Sequence, residues 1–524
     1  VTSIHLPFKP FLVIIFFACA WILLSMWVGW YATPLIHPDG FQSIGASFGG
    51  NAGHLSWPFV GNFEGYGDRW GYHWFGWPLL RSWFTGFLSF SPMGDALFLH
   101  GVRALTGVLV ALYIYRHYAS PSASLLAFAT ILLQKGWFCS MAFLYRPETV
   151  GALFLWLAAE PLWTQHTWPR WRKIVSITAL FVCPMMHPLA VAAGCWVAVL
   201  GVVQGRIFLR ESWASLFARW MLPCLGGGLC LIWYYASNEN TYAQLMNTVR
   251  TMQEVKMNMI GVLKNMFLSL NNVFYVWPVS VLLLYSLLAL WQKKVRGKEL
   301  FYLFASSSLV GLGFAYLIAG GHPNVGHAAL MTPFLGLWAA QVFVIQYQGS
   351  KLRTAVRVTS VLMVIFCTLP LLLVASAYVQ SPPQSPRKQA GNILESALAQ
   401  TKGQVVIPLS LWEAALMQDP EERARIRFST FPNYASYDRR QAYENEVMES
   451  MREGDLLIMV PMVQSSPQIQ DIMPWPRHPK FTDAALWDQV ASYAPIFNIS
   501  IKLGSFQKND LVLDELKVYR YKNP

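Results

Sequence analysis

An all-α polytopic membrane domain followed by an extracytoplasmic α/β domain is the fold this sequence predicts, and three observations predict it. Apolar stretches long enough to cross a bilayer recur through the first three quarters of the chain. Composition is 55% hydrophobic and only 13% charged, where a soluble protein carries about a quarter charged residues. The charge deficit is also local. Residues 1–379 hold 23 Lys and Arg against 10 Asp and Glu, whereas residues 380–524 hold 16 against 17. The expected division is therefore a transmembrane domain over 1–379, with a first outer loop over 32–94, and a soluble domain over 380–524.

The stretches expected to span lie near 11–31, 95–115, 121–134, 147–163, 174–203, 217–236, 269–291, 300–319, 326–347 and 356–378. The first follows Lys9 and has no small-residue cleavage site after it, so it is expected as an uncleaved helix. Stretch 174–203 is broken by His187-Pro188 and fits either one long tilted helix or a hairpin of two short ones. Charge favours the hairpin. It gives about 11 helices and collects Lys9, Arg116, Arg170, Arg172, Lys173, Arg206, Arg210, Arg219, Lys293, Lys294, Arg296, Lys298, Lys351, Arg353 and Arg357 on the cytoplasmic side. The opposite face then carries Asp39, Glu64, Asp68, Asp95, Glu148, Glu239 and Glu254, with His37, His54, His73, His187, His322 and His327. Polar chemistry gathered on one side points to an outward-facing site rather than a channel lined from end to end.

Ser381-Pro382-Pro383-Gln384-Ser385-Pro386 reads as a linker. Beyond it, strand-like runs (404–409, 425–429, 455–460) alternate with helical ones (411–418, 440–452), and strands are expected again at 499–503 and 516–521. The seven cysteines fall almost entirely in apolar spans and read as small core residues, not as a disulfide framework. No Gly-rich phosphate loop or dinucleotide fingerprint is present, and the net charge of +12 sits in the membrane part. Nucleic acid is accordingly not an expected partner.

Several residues carry potential chemistry. Asp39 is a carboxylate placed immediately after the first span, where it must be solvated, paired or used. Arg103 lies eight residues past Asp95, about 12 Å along a helix. Arg146 and Glu148 sit where the fourth span begins. A membrane-embedded Arg needs either a carboxylate (Asp95, Glu148 or Asp39) or a phosphate, and the sequence leaves both readings open. His187, His322 and His327 join the two arginines as candidates for contact with a phosphate. His322 and His327 are badly spaced for two metal ligands on one helix face. Glu64, Asp68 and Arg69 lie in a Gly-rich part of the first loop and suit contact with an acceptor. Glu148 is the candidate second carboxylate.

The first loop opens His37-Pro38-Asp39, continues Phe41-Gln42, and carries Gly65-Tyr66-Gly67 and Arg81-Ser82 before the second span. This pattern resembles the GT-C superfamily of membrane glycosyltransferases, in particular the dolichol-phosphate-mannose-dependent mannosyltransferases. The match covers roughly residues 31–105, with an echo at His322–Pro333. Gly40 stands where that family has glutamate, and a Trp-Glu-Trp element is replaced by Trp70-Gly71-Tyr72-His73-Trp74. The resemblance implies Asp39 as catalytic base, a polyprenyl-phosphate-sugar donor, a glycan, lipid or protein acceptor, and a site embedded beside the lipid bilayer. It implies no cofactor and leaves a divalent metal open. A sugar phosphate departs as a stabilised anion, so one base suffices where a glycosidase needs two carboxylates. A single displacement inverts the anomeric centre. The expected setting is a bacterial inner membrane with site and soluble domain in the periplasm, or the endoplasmic reticulum membrane in a eukaryote. The rival readings are a transporter or flippase of lipid-linked glycans, which calls for repeats and midplane charges, and a glycan ligase or polymerase.

Overall fold

The computed structural model describes residues 8–32, 76, 80, 92–133, 147–164, 169–236, 270–319, 330–347, 353–365, 386–408, 411–429, 437–459, 478–481, 483–494, 496–503, 506–513 and 515–522. The helical part consists of α1 (Phe8–Ala32), α2 (Pro92–Tyr118), α3 (Pro121–Leu132), α4 (Pro147–Ala159), α5 (Arg170–Val182), α6 (Pro188–Ile207), α7 (Leu222–Ala236), α8 (Leu270–Trp291), α9 (Lys298–Ala319), α10 (Thr332–Tyr347) and α11 over 353–365. Among the described residues, four helical segments are long and apolar enough to cross a membrane: Ala96–Tyr118, Leu189–Ile207, Trp213–Tyr234 and Lys298–Tyr316. Large apolar side chains such as Phe16, Leu23, Leu229 and Trp233 remain exposed on the outside of this bundle. That is the surface a lipid-solvated protein presents.

Local sequence explains how the helices start and pack. Pro121 opens α3 behind Ser120, whose Oγ accepts the Ala123 N–H at 3.3 Å. Ser124 then donates to the Ala111 carbonyl at 2.6 Å and holds α3 against α2. α2 buries Ala96, Leu99, His100, Arg103, Ala104, Val110, Ala111 and Ile114, a stripe at helical spacing that contains two ionisable residues. Trp21 of α1 donates through Nε1 to the Leu132 carbonyl at 3.0 Å and meets the His100 ring edge-on at 5.5 Å. One side chain thus ties α1 to both α2 and α3.

At His187 the chain reverses. The Cys183 thiol faces the Ala190 carbonyl at 3.6 Å, and a Cβ at Gly194 would lie 3.9 Å from Leu180. Both contacts bridge the break at His187-Pro188, so the stretch 174–203 turns there instead of running on as one helix. Helix α7 is preceded by the turn Trp213–Leu216 and a π-helical segment, Phe217–Met221. The π segment turns Trp220 onto Gly201, where a side chain would overlap the indole.

The remainder of the chain contains α12 (Pro386–Gln400), α13 (Tyr437–Ser450) and seven strands. These are β1 (Val405–Ile407), β2 (Ile426–Phe428), β3 (Leu456–Met459), β4 (Trp487–Tyr493), β5 (Ile496–Leu503), β6 (Phe506–Leu513) and β7 (Leu516–Tyr521). Five form a mixed sheet in the order β2-β1-β3-β7-β4, while β5 and β6 pair separately. β1 is parallel to β2 and β3; β7 is antiparallel to β3 and β4. The Val-Val-Ile of β1 and the Leu-Leu-Ile of β3 are fully buried, as strands covered on both faces require.

The expected elements shift in a few places. Pro386 opens α12 instead of closing a linker, because its fixed φ suits the first turn of a helix. Helix α13 begins at Tyr437 instead of 440, and β4 and β6 add to the expected strands. The described part of the last apolar stretch is helical from 353.

Candidate functional site

Three helices bring three of the sequence-selected residues together. Arg103 lies on the buried stripe of α2, Glu148 in the first turn of α4, and His187 caps the N-terminus of α6. Their exposures are 1%, 1% and 3%, so an ionisable cluster is sealed inside an apolar bundle. Burying charges in this way is costly unless each is matched.

The matching follows from hydrogen-bond geometry. His187 Nδ1 accepts the Leu189 N–H at 3.1 Å, which requires a lone pair on that nitrogen. The ring proton is thereby placed on Nε2, which lies 3.3 Å from Glu148 Oε1, within ion-pair distance of the carboxylate. Pro188 at the first position of α6 leaves the Leu189 N–H as the donor for the histidine cap. Glu148 also benefits from the N-terminal end of α4, where the helix dipole favours a negative charge. The Glu148 charge acts on the Arg103 guanidinium, whose Nη2 donates to Thr149 Oγ1 at 3.3 Å. Tyr316 of α9 closes the far side of His187, edge-on at 5.8 Å.

Gly151 lets Leu330 pack closely against α4 beside this cluster. It lies one turn beyond Glu148, and a Cβ there would come within 2.8 Å of Leu330 and 3.4 Å of Met186. Thr149 is the member that sequence reading missed. A threonine inside an apolar helix commonly bonds its own backbone, and its adjacency to Glu148 was the available signal.

Arg103 thus meets α4 through Thr149, the residue next to Glu148, and Glu148 is the acid whose charge bears on it. Asp39, Glu64, Asp68, Arg69, Arg146, His322 and His327 lie outside the described residues. Asp95 lies in the first turn of α2. Among the described residues, no group of three or more His, Cys, Asp or Glu is arranged to hold a metal ion.

No protein-family model matches the chain, and no curated protein sequence matches it. Among solved structures it is similar to the crystal structure of ArnT from Cupriavidus metallidurans bound to undecaprenyl phosphate. Identity is 10%, coverage is 96% of this chain and 97% of that one, and the TM-score is 0.47. At that level the likeness decides neither fold nor chemistry.

Proposed function

We propose that the chain is an integral-membrane glycosyltransferase that moves one sugar from a polyprenyl-phosphate carrier to an acceptor outside the cytoplasm. The observation that carries this reading is the sealed cluster of Arg103, Glu148 and His187 in the helical bundle. Ionisable groups inside a membrane domain are expensive and mark a working site. The His37-Pro38-Asp39 opening of the first loop, with its resemblance to GT-C enzymes, supplies the class of chemistry.

In this mechanism Asp39 takes the proton of the acceptor hydroxyl as that oxygen attacks the anomeric carbon. The bond from that carbon to the phosphate oxygen breaks, its electron pair leaves with the polyprenyl phosphate, and the anomeric centre inverts. Arg146, adjacent to the start of α4, and His322 and His327 receive the departing phosphate charge. Arg103 and His187 act on the phosphate side through Glu148. They fix its carboxylate beside the Arg146-Pro147 entry, so Glu148 is the second carboxylate of the site. Glu64, Asp68 and Arg69 engage the acceptor, a hydroxyl-bearing glycan, lipid or protein. No step requires a cofactor.

The test uses the purified full chain in lipid nanodiscs, with a panel of polyprenyl-phosphate sugars that includes the mannosyl one. Acceptor-dependent release of free polyprenyl phosphate is the expected result. Asp39→Asn should lower transfer by about two to four orders of magnitude while retaining donor binding, since it removes the base and keeps the shape. Asp39→Glu should recover little, because a base displaced by about 1 Å can lose about a hundredfold. An Asn variant with normal turnover would place the base elsewhere.

A further inference from the structure

The bundle has a second polar end, remote from the cluster just described. Lys298 begins α9, and Tyr316, which touches His187, lies 18 residues further along the same helix. That separation is about 27 Å, close to the hydrocarbon thickness of a bilayer. The end marked by Lys298 is therefore one membrane face and the His187 end the other.

At this face four helix ends are pinned into one surface. Tyr347 closes α10, and the guanidinium carbons of Arg353 and Arg357 lie 4.2 Å and 5.0 Å from its ring centroid. Arg357 also donates to the Tyr347 hydroxyl. Next to Tyr347, Gln346 accepts from Lys294 Nζ at 3.1 Å and donates to the Tyr285 carbonyl at 3.0 Å. The Tyr285 hydroxyl and Thr359 Oγ1 share a hydrogen bond of 2.9 Å, which ties α8 to α11. Lys293, Lys294, Arg296, Lys298, Arg353 and Arg357 thus form one basic patch, with Glu299 the one acid among residues 291–299 and 353–357. Trp291, 81% exposed, ends α8 beside it.

Helix dipoles alone do not account for this arrangement. Lys293 and Lys294 follow the C-terminus of α8, where a cation is favoured, but Lys298 sits in the first turn of α9, where a cation is disfavoured. Arg353 and Arg357 are four apart on one helix and repel each other. Both converge on the same tyrosine ring, and both are exposed. A fixed concentration of positive charge with an exposed indole beside it matches the headgroup layer of a membrane, where anionic phosphates meet the interfacial aromatic belt.

We propose that this patch is a binding site for anionic glycerophospholipid headgroups, seated on Arg353, Arg357 and the Lys293–Lys298 turn with Trp291 at the interface. It is distinct from the site proposed for sugar transfer and lies on the opposite membrane face.

The experiment compares the full chain in phosphatidylglycerol and phosphatidylcholine nanodiscs, by thermal unfolding and by native mass spectrometry of retained lipid. The wild type should unfold at higher temperature in phosphatidylglycerol and retain that lipid preferentially. Removing one cation should weaken phosphatidylglycerol retention about five-fold. The pairs Arg353→Gln with Arg357→Gln, and Lys293→Gln with Arg296→Gln, should therefore each weaken it about twenty-five-fold. Whatever stability the arginine pair loses in phosphatidylcholine with its Tyr347 contacts, each double variant should lose more in phosphatidylglycerol, and Lys388→Gln in α12 should alter neither readout. Equal stability of the wild type in both lipids would overturn the proposal. So would equal loss in both lipids by the variants, which would make the arginines merely structural. Stabilisation by inorganic phosphate to the same extent would also overturn it, as the marker of a free-anion site.

Discussion

Two buried carboxylates in this molecule are satisfied in opposite ways. Asp455 of the C-terminal domain is 3% exposed and accepts only from main chain: Oδ1 from Gln404 N–H at 2.8 Å, Oδ2 from Arg452 N–H at 2.7 Å. Glu148 of the helical bundle is 1% exposed, yet its neighbours are titratable or cationic side chains, His187 and Arg103. Backbone donors cannot change protonation and move only if the fold moves. Side-chain donors can exchange protons, reorient and respond to a bound charge. Asp455 is thus a clamp joining the entry to β1 with the entry to β3, whereas Glu148 sits in an arrangement able to respond to a ligand.

Substitutions sharpen this contrast. The largest effect on stability is expected at Glu148. Glu148→Gln leaves Arg103 buried without its countercharge, which costs about 3–5 kcal/mol. Thermal unfolding of the purified chain should report it, and an unchanged midpoint would mean that Arg103 is neutralised by another group. Asp455→Ala removes the acceptor of two part-buried backbone donors and should cost about 1–2 kcal/mol. Its damage should stay within the C-terminal domain, with early proteolysis near 401–404 and 452–456 while the helical part remains resistant. Gly403 adjoins the same carboxylate so closely that a Cβ there would collide with Asp455 Oδ1.

The smallest effect separates the two bonds of His187. His187→Asn keeps an acceptor for the Leu189 N–H, whereas His187→Ala loses both the cap and the contact with Glu148. The alanine variant should be less stable than the asparagine one by about 1 kcal/mol, the usual contribution of an N-cap. Equal midpoints for the two would mean that the cap contributes nothing and that the Glu148 contact alone matters.

Much of the helical architecture was legible because buried stripes and helix openers are local. Pro121 after Ser120, Pro147 before Glu148, and His187-Pro188 mark helix starts in the sequence itself. The need of Arg103 for a partner was legible too, since a guanidinium cannot be left alone in an apolar helix, but three acids were eligible. Singling out Glu148 required knowing that Arg103 of α2 reaches Thr149 of α4, which is a non-local fact. The C-terminal strands were less readable for a related reason. β4 is mostly exposed, with only Trp487 fully buried, so its apolar alternation is weak and its pairing with β7 is what makes it a strand. The helix α12 was hidden by the Pro- and Ser-rich run that leads into it.

The position of β7 bears on how the C-terminal domain assembles. β1, β2 and β3 pair with one another through parallel crossovers, but among the described residues β4 has no partner in that trio and reaches the sheet through β7. During synthesis β4 therefore emerges before the strand that will hold it, and waits while the β5–β6 ribbon is made. Until β7 inserts between β3 and β4, two edges stand open to pairing with the wrong strand, the hazard that unpaired edges present. Sheet completion should be the late, slow event of folding, as pairings far apart in sequence tend to be, and a holding factor that shields strand edges would act in that interval.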